Sequence, residues 1–346
     1  MPILSRPITT GLAASLFACC LAVNPSAVHA QERVDGAIQK HGFLQQKIAP
    51  EEITVEHGSE FKGAHKVAIS VFNVAFPSEF HYEAVSKGHS FLGDRATSAK
   101  AYMDTSMTGI DHATQQRITD QAYAFLVEQL QGAGYEVVDA AGLTQLAPEF
   151  GKWDSVPNFS QGRYGTYVAP TGRLLRFLQA DTAKRFTGGF FGELNSFRML
   201  DRPQAFTRSP YIAHDGKIGI IAVTLVVDYG VYSSSGRSNK VGKGASVGFK
   251  EGVAMAAGSF LDSGTMLEYW GPSSGGFPAG AYLQQPIRSD KPFGNVKRLA
   301  QPEGKQVGIG VQEISIAADP AKFEAAANEV IDIAIPKLVS VMAAAR

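Results

Sequence analysis

From Lys66 the chain turns apolar: Val67, Ile69 and Val71 alternate with Ala68, Ser70 and Phe72, and Val74 and Phe76 follow. Apolar residues on both faces predict a central strand covered on both sides, and Pro77 ends it. Residues 77–110 are polar and read as loop. Asp111 is placed to cap a helix from His112 to Gln131. Ile118, Ala122, Phe125, Leu126 and Leu130 fall at helical spacing there, with Gly132 and Gly134 as the stop. Tyr135 to Asp139 reads as a short strand, so strand, helix and strand form an α/β unit. The longest strand signal runs through Ile221, Val223, Leu225, Val227, Tyr229 and Val231, opposite Ile220, Ala222, Thr224, Val226, Asp228 and Tyr232.

The last strand pattern is Val307, Ile309 and Val311, then Ile314 and Ile316; its slip near Glu313 predicts a bulge. Asp319-Pro320 then opens a terminal helix with a capping residue and a proline at its first position. Phe323, Ala327, Val330, Ile331, Ala334, Leu338 and Met342 form its buried stripe, and Pro336 predicts a kink. No repeat of fixed period is visible. The order of elements predicts an α/β or α+β fold, a mixed sheet flanked by helices over residues 63–346.

Two stretches break the rhythm. Residues 151–210 interleave basic side chains with phenylalanines and tyrosines and read as an irregular insertion with a short helix near 171–186. Residues 230–280 hold twelve of the 36 glycines. Gly242, Gly244, Ser246 and Gly248 would leave a bare strip on one strand face for another backbone; a flexible loop is the equal alternative. Residues 31–62 are polar and read as a peripheral arm.

The N-terminus adds a compartment. Arg6, an apolar run from Gly11 to Val23 and Ala-Val-His-Ala ending at Ala30 have the grammar of an export signal over residues 1–30, cleaved between Ala30 and Gln31. The run is too short to span a bilayer, and no later segment approaches a transmembrane helix. The competing reading takes Leu16-Phe17-Ala18-Cys19 as a lipobox, with Cys19 lipidated and retained. Cys19 and Cys20 are the only cysteines, so the body of the chain has no disulfide framework and no cysteine metal site. The 32 basic and 32 acidic residues balance, which removes any whole-chain argument for nucleic acid. Export argues against it again.

Few residues suggest chemistry. Glu79, His81 and Glu83 alternate, so on an extended segment they point one way, and with His89 they make a candidate divalent-metal set. The plain alternative is an exposed polar edge. Arg163, Arg173, Arg176 and Arg185 offer a cationic surface for an anionic envelope partner, against an ordinary subdomain with buried phenylalanine and solvated arginine. Gly244-Ala245-Ser246-Val247-Gly248 matches a nucleophile elbow, but the last histidine is His214, before the serine rather than after it. His214-Asp215-Gly216 reads as a turn. Gly236 to Gly244 departs from a phosphate loop in spacing and lacks its hydroxyl, so no cofactor is expected.

Lys66 to Phe72, the stretch Leu126 to Leu146 and the helix segment Ile331 to Val339 resemble the periplasmic α/β domain of the curli-secretion lipoprotein (CsgG-like) family and the N-terminal domain of TolB-like proteins. The resemblance covers about half of the chain. Members of the curli-secretion family are lipidated at an N-terminal cysteine and contribute strands to an oligomeric membrane barrel. The resemblance therefore implies a non-enzymatic envelope role in assembly or secretion, with a cell-envelope protein partner and a homo-oligomer, and it transfers no catalytic residues. The expected location is the periplasm, or the outer membrane if Cys19 is the anchor. A periplasmic hydrolase or metal-dependent enzyme using the 79–89 cluster, and a small-ligand binding protein, are the alternatives.

Overall fold

The structure, a computed structural model, describes residues 28–30, 53–61, 65–87, 98–162, 164–177, 204–239, 242–257, 264–273, 278–299 and 309–344. Its first elements are β1 (Val28–Ala30), β2 (Ile53–Glu56), a 3-10 turn at Gly58–Phe61, β3 (Lys66–Phe76), β4 (Glu79–Lys87) and β5 (Ser98–Thr108). There follow α1 (His112–Gly132), β6 (Glu136–Val138), α2 (Ala140–Leu146), a second 3-10 turn at Pro148–Lys152, β7 (Ser160–Gly162) and β8 (Gly165–Val168). The second half holds α3 (Gln204–Gly216), β9 (Gly219–Asn239), β10 (Gly242–Met255), β11 (Met266–Trp270) and β12 (Ala279–Leu283). It closes with β13 (Ile287–Arg288), β14 (Gly294–Leu299), β15 (Ile309–Ala318) and α4 (Pro320–Ala344).

The larger sheet runs β2-β12-β11-β9-β3-β8-β7, with β6 beside the start of β3 and β10 beside the far half of β9. The smaller runs β1-β4-β5-β15-β14. Parallel pairs (β3 with β9, β3 with β6, β5 with β15) and antiparallel ones make both sheets mixed. Helices α1 and α4 pack on one face of the larger sheet, against Val67, Ile69, Phe72, Val223 and Leu225. Leu143 of α2, Phe150, Trp153 and Ala205, Phe206 and Ile212 around α3 pack on the other, against Val71, Ala222 and Trp270. Mixed sheets with helices on both faces make this an α/β or α+β fold, as the pattern predicts.

The central strand differs from simple alternation. Its register against β9 shifts between Ile69 and Val71, a bulge held by the Ser70 hydroxyl donating to the Ile221 carbonyl at 3.2 Å. The extra residue turns Val71 to the face opposite Val67 and Ile69, and brings Phe72, Val74 and Phe76 onto theirs.

The helix ends follow local sequence. The Asp111 side chain accepts from the Thr114 amide at 2.8 Å and the Asp319 side chain from the Lys322 amide at 3.1 Å, so each opens its helix as an N-cap. Gly134, with φ +84°, closes α1. Helix α4 continues through Pro336 to Ala344. The two helices run parallel: Arg117 grips Glu324 through two nitrogens, the closer at 2.8 Å, and Asn328 donates to Gln121 at 2.7 Å. Their preceding strands β5 and β15 are parallel too. Two strand–cap–helix units thus lie side by side, though no repeat is visible in the sequence.

Several expectations are corrected. Residues 77–110 are not a loop, because they contain β4 and β5, paired from Glu79 opposite Ser106 to Lys87 opposite Ser98. The end of the 31–62 arm is built in: β2 adds to β12, and Phe61 is fully buried. No bulge lies at Glu313, since β15 keeps an unbroken register with both β5 and β14. Residues 171–177 are a turn followed by extended chain bridged from Leu175 to Val156, not helix, and the rest of the 171–186 stretch lies outside the described residues. His214 to Gly216 end α3 instead of forming a turn. In the Gly-rich segment β10 is strand, paired with β9 from Gly242 opposite Asn239 to Met255 opposite Val227.

Strand β9 serves two structures. Up to Val226 it lies between β11 and β3; from Val227 to Asn239 its partner is β10. At ~3.3 Å per residue the ribbon continues about 40 Å past that shared segment. Its base packs on the smaller sheet, where Phe80 lies 4.6 Å and Phe249 5.2 Å from the Tyr232 ring. The Thr105 hydroxyl bridges the Tyr229 and Tyr232 hydroxyls at 2.8 and 3.1 Å. Among the described residues no helix is long and apolar enough to cross a membrane, a statement that does not bear on strands.

Candidate functional site

The 79–89 cluster lands on β4. Glu79 and His81 are exposed there; Glu83 is on the same strand, its side chain outside the described residues, and His89 is outside them altogether. Glu79 and His81 are both exposed, with buried Tyr82 turned the other way. Register then supplies a partner that sequence spacing missed: Asp104 of β5 lies opposite His81, with its Oδ1 2.5 Å from Nδ1. The His81 ring also leans on Tyr102, 5.9 Å between centroids. Both members of the couple are about half exposed, where such a pair contributes little to stability. Among the described residues, no three histidine or carboxylate side chains gather closely enough to hold a metal ion.

The arginines have a different fate. Arg163 and Arg185 lie outside the described residues. Arg173 and Arg176 come together, Arg173 half-buried and Arg176 buried, and both guanidinium groups engage protein carbonyls and rings. The cause is a gap in the sheet: β3 pairs with β6 over Lys66–Ala68 and with β8 over Val74–Phe76. Between them its edge has no strand partner among the described residues, and residues 169–177 fill the space with side chains. The Arg173 guanidinium donates to the Ile69 carbonyl at the bulge and to the Tyr123 hydroxyl at 2.6 Å, and lies 5.0 Å over the Tyr123 ring. Asp120 fixes the loop by accepting from the Thr171 amide and hydroxyl at 2.7 and 2.8 Å.

Arg176 is 5% exposed. Its carbonyl accepts from Asn73 Nδ2 at 2.6 Å, its Nη2 donates to the Phe150 carbonyl at 2.9 Å, and its guanidinium lies 4.3 Å over the Phe150 ring. Burial, then the nearby Arg173 charge, pulls its pKa below the usual guanidinium range. No carboxylate lies within 4 Å of either guanidinium among the described residues. Arg176 Nε, Asn73 Oδ1 and the neighbouring Trp153 Nε1 are buried without a hydrogen-bond partner among the described residues. Such a grouping suits a small anion.

A second internal polar group went unnoticed in the sequence. Glu268 on β11 is fully buried, opposite Gly280, whose open face carries the Tyr282 ring. Burial, with the Glu268 and Glu56 charges behind it, pushes the Tyr282 phenol far above its ordinary range. The available signal was an acidic residue inside the apolar run Met266-Leu267-Glu268-Tyr269-Trp270.

Gly244 to Gly248 lie within β10, not on a strand-to-helix elbow, so the nucleophile reading has no structural basis. Ala30 ends β1, opposite Ala84 on β4, while Gln31 and Cys19 are outside the described residues. Comparison with protein-family models, curated proteins and solved structures finds no match to this chain.

Proposed function

We propose that the chain is an exported bacterial cell-envelope protein with a non-catalytic binding or assembly role, acting as a homo-oligomer or with an envelope partner. The observation that carries this reading is the β9–β10 ribbon. Beyond Val227 the outer edge of β9 has no strand partner among the described residues, and β10 pairs elsewhere only with β13 at Ala254 and Met255. Free strand edges present rows of amides and carbonyls that another strand can complete. A two-stranded ribbon is marginal in water by itself. Cleavage after Ala30 would also remove β1 and open the edge of β4. Strand donation to an oligomer is what the CsgG-like resemblance implies, and the paired hairpins β4–β5 and β9–β10 are the elements suited to it.

Mass spectrometry of the mature N-terminus, combined with fractionation and native mass measurement, tests the reading. Either Gln31 as the first residue or acylated Cys19 is expected, with a defined oligomer or a stable envelope complex. A monomer in osmotic-shock fluid that enters no complex refutes it. Stoichiometric zinc lost in His81→Ala would replace it with the metal-dependent alternative.

A further inference from the structure

We infer that Arg176, Trp153 and Asn73 form a buried binding site for a small carboxylate or comparable oxyanion. The inference is independent of the assembly reading and rests on unpaired charge. Arginine stays a cation under all physiological conditions, and a charge taken out of water is tolerated only when another charge or a full set of hydrogen bonds compensates it. Arg176 has one donation, to the Phe150 carbonyl, and a ring beneath it. Its charged neighbour is Arg173, of like sign. Its Nε faces no acceptor among the described residues.

The surrounding groups favour the same ligand. Trp153 and Arg176 both border the Phe150 ring, at 5.0 and 4.3 Å, and each keeps a buried N–H without a partner among the described residues. A carboxylate accepts from two such donors at once. Asn73, held to the Arg176 carbonyl, adds an unused acceptor that a hydroxyl or amine on the same ligand would satisfy. With only 5% of Arg176 exposed, the ligand is small. The compensating carboxylate has two sources, a free acid or a side chain of this chain such as Asp181, Glu193 or Asp201.

Thermal unfolding and tryptophan fluorescence of the mature protein, titrated with acetate, lactate, sulfate and phosphate at constant ionic strength with chloride as the balancing salt, test the site. Trp153, one of two tryptophans, reports directly. The expected result is a saturable rise in Tm and a fluorescence change with at least one of these anions. Trp153→Phe should keep the fold and weaken binding about fivefold, the worth of one hydrogen bond; Arg176→Gln should abolish it, and Arg176→Lys should restore part of it. If Arg176→Gln does not fold, the Trp153→Phe and Arg176→Lys titrations decide. Absence of any saturable effect overturns the inference. So does a loss of stability in Asp181→Asn, Glu193→Gln or Asp201→Asn that couples to Arg176→Lys, because the counter-charge then belongs to the chain.

Discussion

Gly230 is a demanding position in the ribbon. It faces Glu251 across the β9–β10 ladder, diagonal to Phe249, whose opposite residue is Tyr232. A Cβ at Gly230 would lie 1.9 Å from Phe249 Cε2 and 2.3 Å from Cζ, whereas carbon atoms pack at about 3.5–4.0 Å. The ring would have to move by roughly 1.5–2 Å, and Tyr232 and Tyr229 stand beside it at 5.2 and 6.1 Å, tied to Thr105. Forced overpacking costs about 1–3 kcal/mol, and expelling the ring would lose about 2–3 kcal/mol of burial. The intrinsic gain of alanine over glycine in a strand, ~0.5–1 kcal/mol, offsets part of either. Gly230→Ala should therefore destabilise by roughly 1 kcal/mol, and by at most about 2.5 kcal/mol, in urea unfolding, with an unchanged m value. Phe249→Ala alone should cost about 3–4 kcal/mol, and the double variant no more than Phe249→Ala, because the clash has gone. A Gly230→Ala protein as stable as wild type, or an additive double variant, would refute the argument.

Arg173→Met removes two charge-assisted hydrogen bonds from the sheet gap and should cost about 2 kcal/mol. Tyr123→Phe should cost about 1 kcal/mol, and the pair should be less than additive in urea unfolding; full additivity would mean that the 2.6 Å contact contributes nothing. Acid should destabilise through Asp111, held low by its Thr114 hydrogen bonds, and Glu329, held low by Ser289 and then Lys291. Carboxyl groups lowered on folding stabilise above their unfolded pKa, near 4, and lose that contribution as pH falls through the folded value. Glu56, raised chiefly by burial, has the opposite sign: its contribution is present at low pH and lost as pH rises through its folded pKa. Unfolding curves between pH 2 and 7 should show Asp111→Asn flattening the acid limb and Glu56→Gln gaining stability mainly at neutral pH.

What the sequence made legible was mostly local. The Asp111 cap reaches three residues along the chain, and the buried stripe of α4 is a property of its own periodicity. The β3 bulge depends on a carbonyl 151 residues away, so the pattern alone misassigned Val71. The β4 strand was legible and misread: the alternation that groups Glu79, His81 and Glu83 is that of a half-buried strand with Tyr82 turned inward. Asp104 enters only through register. Arg176 was out of reach because charge is ordinarily an argument for the surface. Asn73 was the available signal, an amide in the apolar second half of β3. Helix α3 was hidden by its internal Pro210, although Ala205, Phe206, Ser209, Ile212 and Ala213 keep helical spacing.

The glycines bear on the assembly reading in a way their number did not. Gly219, Gly230 and Gly280 are covered by the rings of Tyr269, Phe249 and Tyr282, so their bareness is used within the fold and is not open to another backbone. Gly242, Gly244, Ser246 and Gly248 fall on β10, within its ladder with β9. Its edge is not unguarded: Lys250 and Glu251 place charges near its base, and the register shift between Glu251 and Ala254, with Gly252 at φ +148°, bends it. Charges and bulges are devices that oppose indiscriminate edge pairing. An edge that is long, glycine-rich and yet guarded suits a partner strand of matched register and complementary charge. It follows that association through this ribbon should yield one stoichiometry and respond to charge reversal at Lys250, whereas amorphous aggregation indifferent to that charge would contradict strand donation as its role.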